Sequence, residues 1–328
     1  MENILHILNG DAPRPALEQS SVPGLFSAWP DVLHEGRTPL ATGEAWIRAR
    51  SEQLASLVPE PADTVLEQYR AADAVLESWR EYDEVVFWFE HDLFDQLLLI
   101  RHLWWLTTNA AERARGRTRF SLVCGDEYIG LMKPEEFGPR FAARQPIAAS
   151  QIGIGAVVWE AYCSGDPTRL VPFAQPAHPL YPDYAAALPY LPAAVRRLLE
   201  EFPAASNGLA RSERQILEVL AEGPRSPEQT FVAASRLEEA IYMGDLSFWN
   251  VVTALSAGPH PLLTRDVQER AGRLPDGTLQ ITGTGRAVLA NRADHAALNR
   301  VSRWIGGTLL APDRLWRWTG SSLLPPAA

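Results

Sequence analysis

Val85-Val86-Phe87-Trp88-Phe89-Glu90-His91-Asp92-Leu93-Phe94-Asp95-Gln96-Leu97 changes its pattern halfway along. The unbroken apolar run Val85 to Phe89 reads as a strand buried on both faces of a parallel sheet. Glu90-His91-Asp92 stops it, and the apolar-rich stretch that follows predicts a helix from about Leu93 to Thr107. Outward from there the same grammar repeats. Ile4 to Leu8 is a strand that ends in Asn9-Gly10-Asp11, Gly24 to Trp29 one that ends in Pro30-Asp31, and Phe120 to Cys124 one that ends in Gly125-Asp126. Helical stretches at Trp46 to Leu57 and Ala62 to Glu81 lie between them.

Strand and helix in alternation predict an α/β fold with a Rossmann-like open, mostly parallel sheet over residues 1–140. Ligands of such sheets bind beyond the carboxyl ends of the strands, where the tips named above converge. Residues 141–208 read as a helical connector broken by prolines, with Gln151 to Tyr162 and Pro192 to Phe202 its clearest helices. From Ser212 the order becomes three helices, a strand, a wing, a strand and a helix, the layout of a winged-helix-like α+β domain over residues 209–328. Ser212 with Gln215, and Ser226 ahead of Pro227, carry helix-start spacings; a third helix runs from Leu246 to Ala257.

The 328 residues, 46% of them hydrophobic, can bury a large core without disulfide staples. With 40 acidic against 30 basic residues the net charge is −10, which disfavours non-specific attraction to nucleic acid or anionic membrane. No apolar run approaches the ~20 residues that span a bilayer. Two cysteines and the lack of a charged-then-apolar leader predict a cytoplasmic location. Lys133 is the only lysine and stands in no phosphate-loop frame, which excludes Walker-type ATPase chemistry. Gly153-Ile154-Gly155 lacks both the third glycine of a dinucleotide fingerprint and the strand that should precede it. Neither cysteine has zinc-ligand neighbours, and no nucleophile elbow is present.

The candidate site is the rim of strand tips: Asn9, Asp11, Asp31, Glu90, His91, Asp92, Asp95, Gln96 and Asp126. Several carboxylates and an imidazole on one edge can hold Mg²⁺ or Mn²⁺, or divide general acid and base work. Asp11, Asp31 and Asp92 are the candidate metal ligands. Asn9, Asp11, Asp31, Glu90, Asp95 and Gln96 are the candidate ligand-binding residues, and His91 is the candidate general acid or base. Each acid has a structural alternative, since aspartate favours turns and helix caps; Asp92 and Asp95 are spaced as a capping pair. His34 is a further rim candidate, whereas His6 lies inside the first strand.

Residues 208–328 balance 13 arginines against 12 acids, and the third helix of that part has no Arg or Lys. Groove binding needs cations there, so nucleic acid is not the expected partner. Trp304, Trp316 and Trp318 interleave with Arg303, Arg314 and Arg317. They can stack bases of a single strand, or stack on one another as the tail folds back.

Leu5 to Asp11, Trp29 to Gly36 and Phe87 to Leu97 together resemble the bacterial DUF1835 domain family, over roughly residues 4–126. Met243 to Trp249 and Arg303 to Gly307 look like the tail of its longer members. Ala12 departs from the small hydroxyl residue expected there. The resemblance implies motif positions and no assigned activity. The expected function is therefore binding of a small polar or phosphorylated ligand, with a divalent cation, at the acidic rim, in the service of hydrolase or transferase chemistry. The alternative is a non-enzymatic ligand-sensing regulator that contacts a protein partner through the winged helix.

Overall fold

The computed structural model describes residues 2–326 apart from 179 and 271. Strand β1 (Ile4–Leu8) leads through α1 (Arg14–Glu18) to β2 (Leu25–Ala28), and the short β3 (Gly36–Arg37) precedes α2 (Gly43–Ala55) and α3 (Ala62–Glu77). Next come β4 (Glu84–Phe89), α4 (Leu93–Thr108), α5 (Ala110–Arg113), β5 (Arg119–Cys124), α6 (Pro134–Ala142), β6 (Gln145–Pro146) and α7 (Ala149–Tyr162). The sheet order is β2-β1-β4-β5-β6, parallel except for β6. Since β1 crosses to β2 on one side and the chain then adds β4 on the other, the strand order reverses between β1 and β4. In open sheets of this kind, ligands bind beyond the carboxyl ends of the strands at such a reversal.

The central strands β1 and β4 lie close to where the sequence puts them because their side chains alternate between two covered faces. Val85, Phe87 and Phe89 enter a large core with α2, α3, α4 and α7, while Val86 and Trp88 join Leu17 of α1 and Phe137 of α6 on the other face. His6 belongs to that second face and is structural: it accepts from Trp88 Nε1 at 3.0 Å and meets Pro23 O at 3.0 Å. Gly24, at φ +131°, lets the chain pass this ring, since a Cβ there would stand 2.6 Å from Ile4 O.

Prolines shape the connector rather than merely breaking it: Pro167–Ala174 is a 3₁₀ helix, followed by α8 (Tyr184–Ala187) and α9 (Leu191–Leu199). Then come α10 (Arg211–Ala221), α11 (Pro227–Ser235), α12 (Asp245–Leu255), the antiparallel pair β7 (Leu263–Gln268) and β8 (Asp276–Ile281), and α13 (Gly283–Leu289). These elements close on their own core, built on residues such as Leu217, Phe248, Leu263 and Leu279. Arg225 adds an antiparallel bridge to Leu279. Ser226 caps α11 as its spacing indicates, accepting from Gln229 N. Ser212 does not cap α10. Glu213 takes that end instead by accepting from Ala210 N at 2.7 Å, and Ser212 Oγ donates to Glu201 at 2.7 Å.

After α14 (His295–Leu298), the tail forms β9 (Arg303–Gly306), β10 (Thr308–Leu310), β11 (Arg317–Trp318) and β12 (Leu323–Leu324). Although the sequence groups this tail with residues 209–328, β9 pairs with β3, and Ile305, Leu310, Trp318 and Leu323 enter the first core. Two of its arginines are spent on acids and backbone: Arg303 on Glu213 and Glu201 O, and Arg317 on Asp294 and Ala204 O, while Arg37 covers the face of Trp304 at 5.4 Å. No helix among the described residues is long and apolar enough to cross a membrane.

Candidate functional site

The cluster at the tips of β1 and β4 is built mainly by hydrogen bonds within Glu90 to Gln96. Asp92 is the N-cap of α4 and accepts from Asp95 N at 3.0 Å. Asp95, one turn in, bends its carboxylate back to Glu90 N at 2.9 Å. Asn9, just past β1, donates to Glu90 Oε1 at 3.1 Å and to Asp95 Oδ2 at 3.0 Å, which ties the two central strands together at their ends. Glu90 also accepts from Ile129 N at 2.8 Å, and Gln96 Nε2 donates to Glu90 O at 2.6 Å.

Glu90, Asp92 and Asp95 are all buried, and each offers an oxygen within 4.8 Å of the other two. Three carboxylate oxygens gathered this closely are the kind of donor set that a hard divalent cation takes. Burial pushes the Glu90 carboxyl up and the Asp92 carboxyl up to about 7. Burial, followed by the charges of Asp92 and Glu90, lifts Asp95 well above the ordinary carboxylate range. No arginine or lysine is among the groups that set these values. At neutral pH the cluster therefore holds protons or a cation.

His91 stands beside the triad with its ring 5.3 Å from Tyr128 and 5.9 Å from Tyr190. Its Nδ1 is buried without a partner. Burial lowers its pKa, with Asp126 working against that, so the imidazole is neutral at pH 7. Tyr128 in turn accepts from Ile241 N at 2.6 Å, in the loop just ahead of α12. Cys124 contacts Gln96 Nε2 at 3.7 Å, and burial pushes its thiol up to about 12. Alkylation of Cys124 by iodoacetamide at pH 8 is expected to run at least about 10³-fold slower than that of a free cysteine, read by intact mass against time. Equal rates would show the thiol ionised and the cluster open to bulk water.

Of the sequence candidates, the structure brings Asn9, Glu90, His91, Asp92, Asp95 and Gln96 together. Asp31 is elsewhere: it is fully buried in an ion pair with Arg50 of α2, at 2.7 Å, and both of its oxygens accept from that guanidinium. Asp11 is exposed and faces Arg14 at 3.8 Å, and Asp126 is exposed. The set within reach of one cation is thus Glu90, Asp92 and Asp95, in place of Asp11, Asp31 and Asp92. His34 packs against Phe94 and Tyr242 and lines a different cavity. Tyr128, Tyr190 and the backbone of Ile129 were not foreseen, since nothing in their local sequence marks them.

No protein-family model matches the chain, and no curated protein is found similar to it.

Proposed function

We propose that the cluster binds a small phosphorylated or similarly polar ligand through a divalent cation held by Glu90, Asp92 and Asp95. The observation that carries this is the meeting of three buried carboxylates, with no basic side chain to neutralise them, at the point where the strand order reverses. A cation there, Mg²⁺ or Mn²⁺, supplies the missing positive charge and offers open coordination positions to phosphate oxygens. His91, neutral and half-buried at the mouth, exchanges a proton with the bound ligand in hydrolase or transferase chemistry. In this reading residues 1–140 are a Rossmann-like domain of a cytoplasmic protein, and the resemblance to the DUF1835 domain family stands beside it as a proposal.

The test is a thermal-shift screen of the full chain against Mg²⁺ and Mn²⁺ with nucleotides and sugar phosphates, repeated with Glu90→Gln and His91→Ala. A ligand at 100 times its Kd raises stability by about 2.7 kcal/mol. Glu90→Gln is expected to lose the shift. His91→Ala is expected to keep it while turnover of the ligand falls by about 10²–10⁴. Equal shifts in wild type and Glu90→Gln would remove the ligand from the cluster.

One contact favours a regulatory reading beside the catalytic one. The Tyr128 hydroxyl joins the site to the loop before α12. The helix and strand order of residues 209–298, with the Arg225 bridge, supports a winged-helix-like unit. Its third helix spends one face on its own core and another on a cavity shared with the N-terminal body. That arrangement supports contact with a protein partner over entry of α12 into a DNA groove.

A further inference from the structure

We propose that a second small-molecule site lies at the opposite end of the sheet, in a cavity where β4 and β5 begin, and that it takes a small organic phosphate carrying two or more negative charges. It does not rest on the reading of the carboxylate cluster. Glu84 opens β4 and Glu90 follows its end, six residues and about 20 Å away, so no small molecule spans both. Arg113-Ala114-Arg115-Gly116-Arg117-Thr118-Arg119 carries four arginines in seven residues, and no other stretch of that length in this chain of net charge −10 matches it. The two ends of that stretch, with Arg144 from the turn between α6 and β6, line a cavity of about 680 Å³. Small-molecule pockets measure about 300–1,000 Å³.

Arg113 stands half-buried over the Phe120 ring at 5.2 Å, and burial lowers its pKa with no carboxylate working against it. Its Nε is sealed and its Nη1 donates to Leu106 O at 2.9 Å, which leaves Nη2, neither buried nor bonded, for a ligand. Arg119, more than half exposed, shares Nη2 between Glu2 and Glu84 and keeps Nε and Nη1 free among the described residues. Glu84 is the one acid on the lining, and it is neutralised: Arg144 donates to its two oxygens at 2.8 and 2.9 Å, and Ser121 Oγ donates to Oε1 at 2.6 Å. Glu112, next to Arg113 in the chain, is taken by Arg80. Arg115 and Arg117 are exposed between the lining residues Ala114 and Thr118. Three guanidiniums around one satisfied carboxylate select an anion, and their planar N–H forks match phosphate oxygens. Ala110, Ala114, Pro146 and Ile147 give the same cavity an apolar wall for the organic part. The bounded volume, and the acidic charge of the chain as a whole, favour a small ligand over an extended polyanion.

The test uses the full chain freed of divalent cations on a chelating resin, so that phosphate held through a cation at Glu90, Asp92 and Asp95 is not read. ATP, adenosine and a single-stranded oligothymidylate of about 20 nucleotides are titrated by calorimetry at about 50 mM NaCl. ATP is expected to bind with a Kd below about 1 mM, and adenosine at least about tenfold more weakly. Arg113→Gln is expected to weaken ATP about tenfold, since it removes one charge-assisted donor. Ala114→Glu, at an exposed position of the lining, leaves every arginine in place and is expected to abolish binding by repulsion. Asp92→Asn is expected to leave ATP binding unchanged. The proposal is overturned if ATP does not bind, if adenosine binds as tightly, if the oligothymidylate binds more tightly than ATP, or if ATP binding persists undiminished in Arg113→Gln and Ala114→Glu.

Discussion

Arg50→Ala is expected to lower the unfolding free energy by about 3–5 kcal/mol and Tm by about 10 °C, in equilibrium denaturation and calorimetry. The guanidinium is 1% exposed and every one of its N–H groups is used. Nε and Nη2 donate to Asp31, Nη2 also to Val32 O at 2.9 Å, and Nη1 to Glu35 O at 3.0 Å and Arg37 O at 2.8 Å. Truncation leaves a buried carboxylate without its counter-charge and three carbonyls without donors, in the segment that feeds β3. Much of the loss is the cost of Asp31 left alone, so Asp31→Leu added to Arg50→Met should recover a large part of it. A change below about 1 kcal/mol for Arg50→Ala would mean that the pair is solvated and that Asp31 remains available to a ligand.

Asp92→Asn is expected to act in the opposite direction on the metal-free protein. The asparagine keeps an oxygen for the cap on Asp95 N but carries no charge. Asp92 rises from 3.8 to about 7 on folding, a rise worth on the order of 4 kcal/mol at pH 8, and the variant should recover about 2–4 kcal/mol of it. The sign follows from proton counts. The folded chain holds the extra proton between pH 3.8 and about 7, so the contribution of Asp92 is complete below 3.8 and is lost as pH rises through about 7. The gain from Asp92→Asn should therefore be large at pH 8 and near zero at pH 4, read as the difference between denaturant midpoints. An equal gain at both pH values would tie it to packing instead of charge. A divalent cation needs the carboxylates deprotonated, so its affinity should climb as pH rises through about 7.

The sheet was legible because its central strands are buried on both faces, which leaves unbroken apolar runs such as Val85 to Phe89. The gathering of Glu90 through Gln96 at the strand tip was legible because those residues are seven consecutive positions of the chain. Asp31 was misplaced for the converse reason: its partner, Arg50, reaches it only through the packing of α2 on the sheet, and a turn aspartate looks the same with or without such a partner. Asp95 reads as a capping residue from its spacing alone. Its second task, closing back on Glu90 and meeting Asn9, depends on the parallel pairing of β1 with β4. The tail was grouped with its neighbours in sequence because a four-residue strand such as β9 carries no period to show that it pairs with β3. His34, Asn250 and Trp304, from three distant segments, share a cavity that no local pattern announces.

The most direct measurement is a titration of the metal-free chain with Mn²⁺ at pH 8, followed by calorimetry and by the electron paramagnetic resonance of the free ion, for wild type and Asp92→Asn. One site per chain in wild type, weakened at least about 100-fold in a variant whose metal-free Tm is no lower, is the predicted result. Binding of equal strength in both, or none in wild type at millimolar Mn²⁺, would contradict the assignment of Glu90, Asp92 and Asp95 as a cation site.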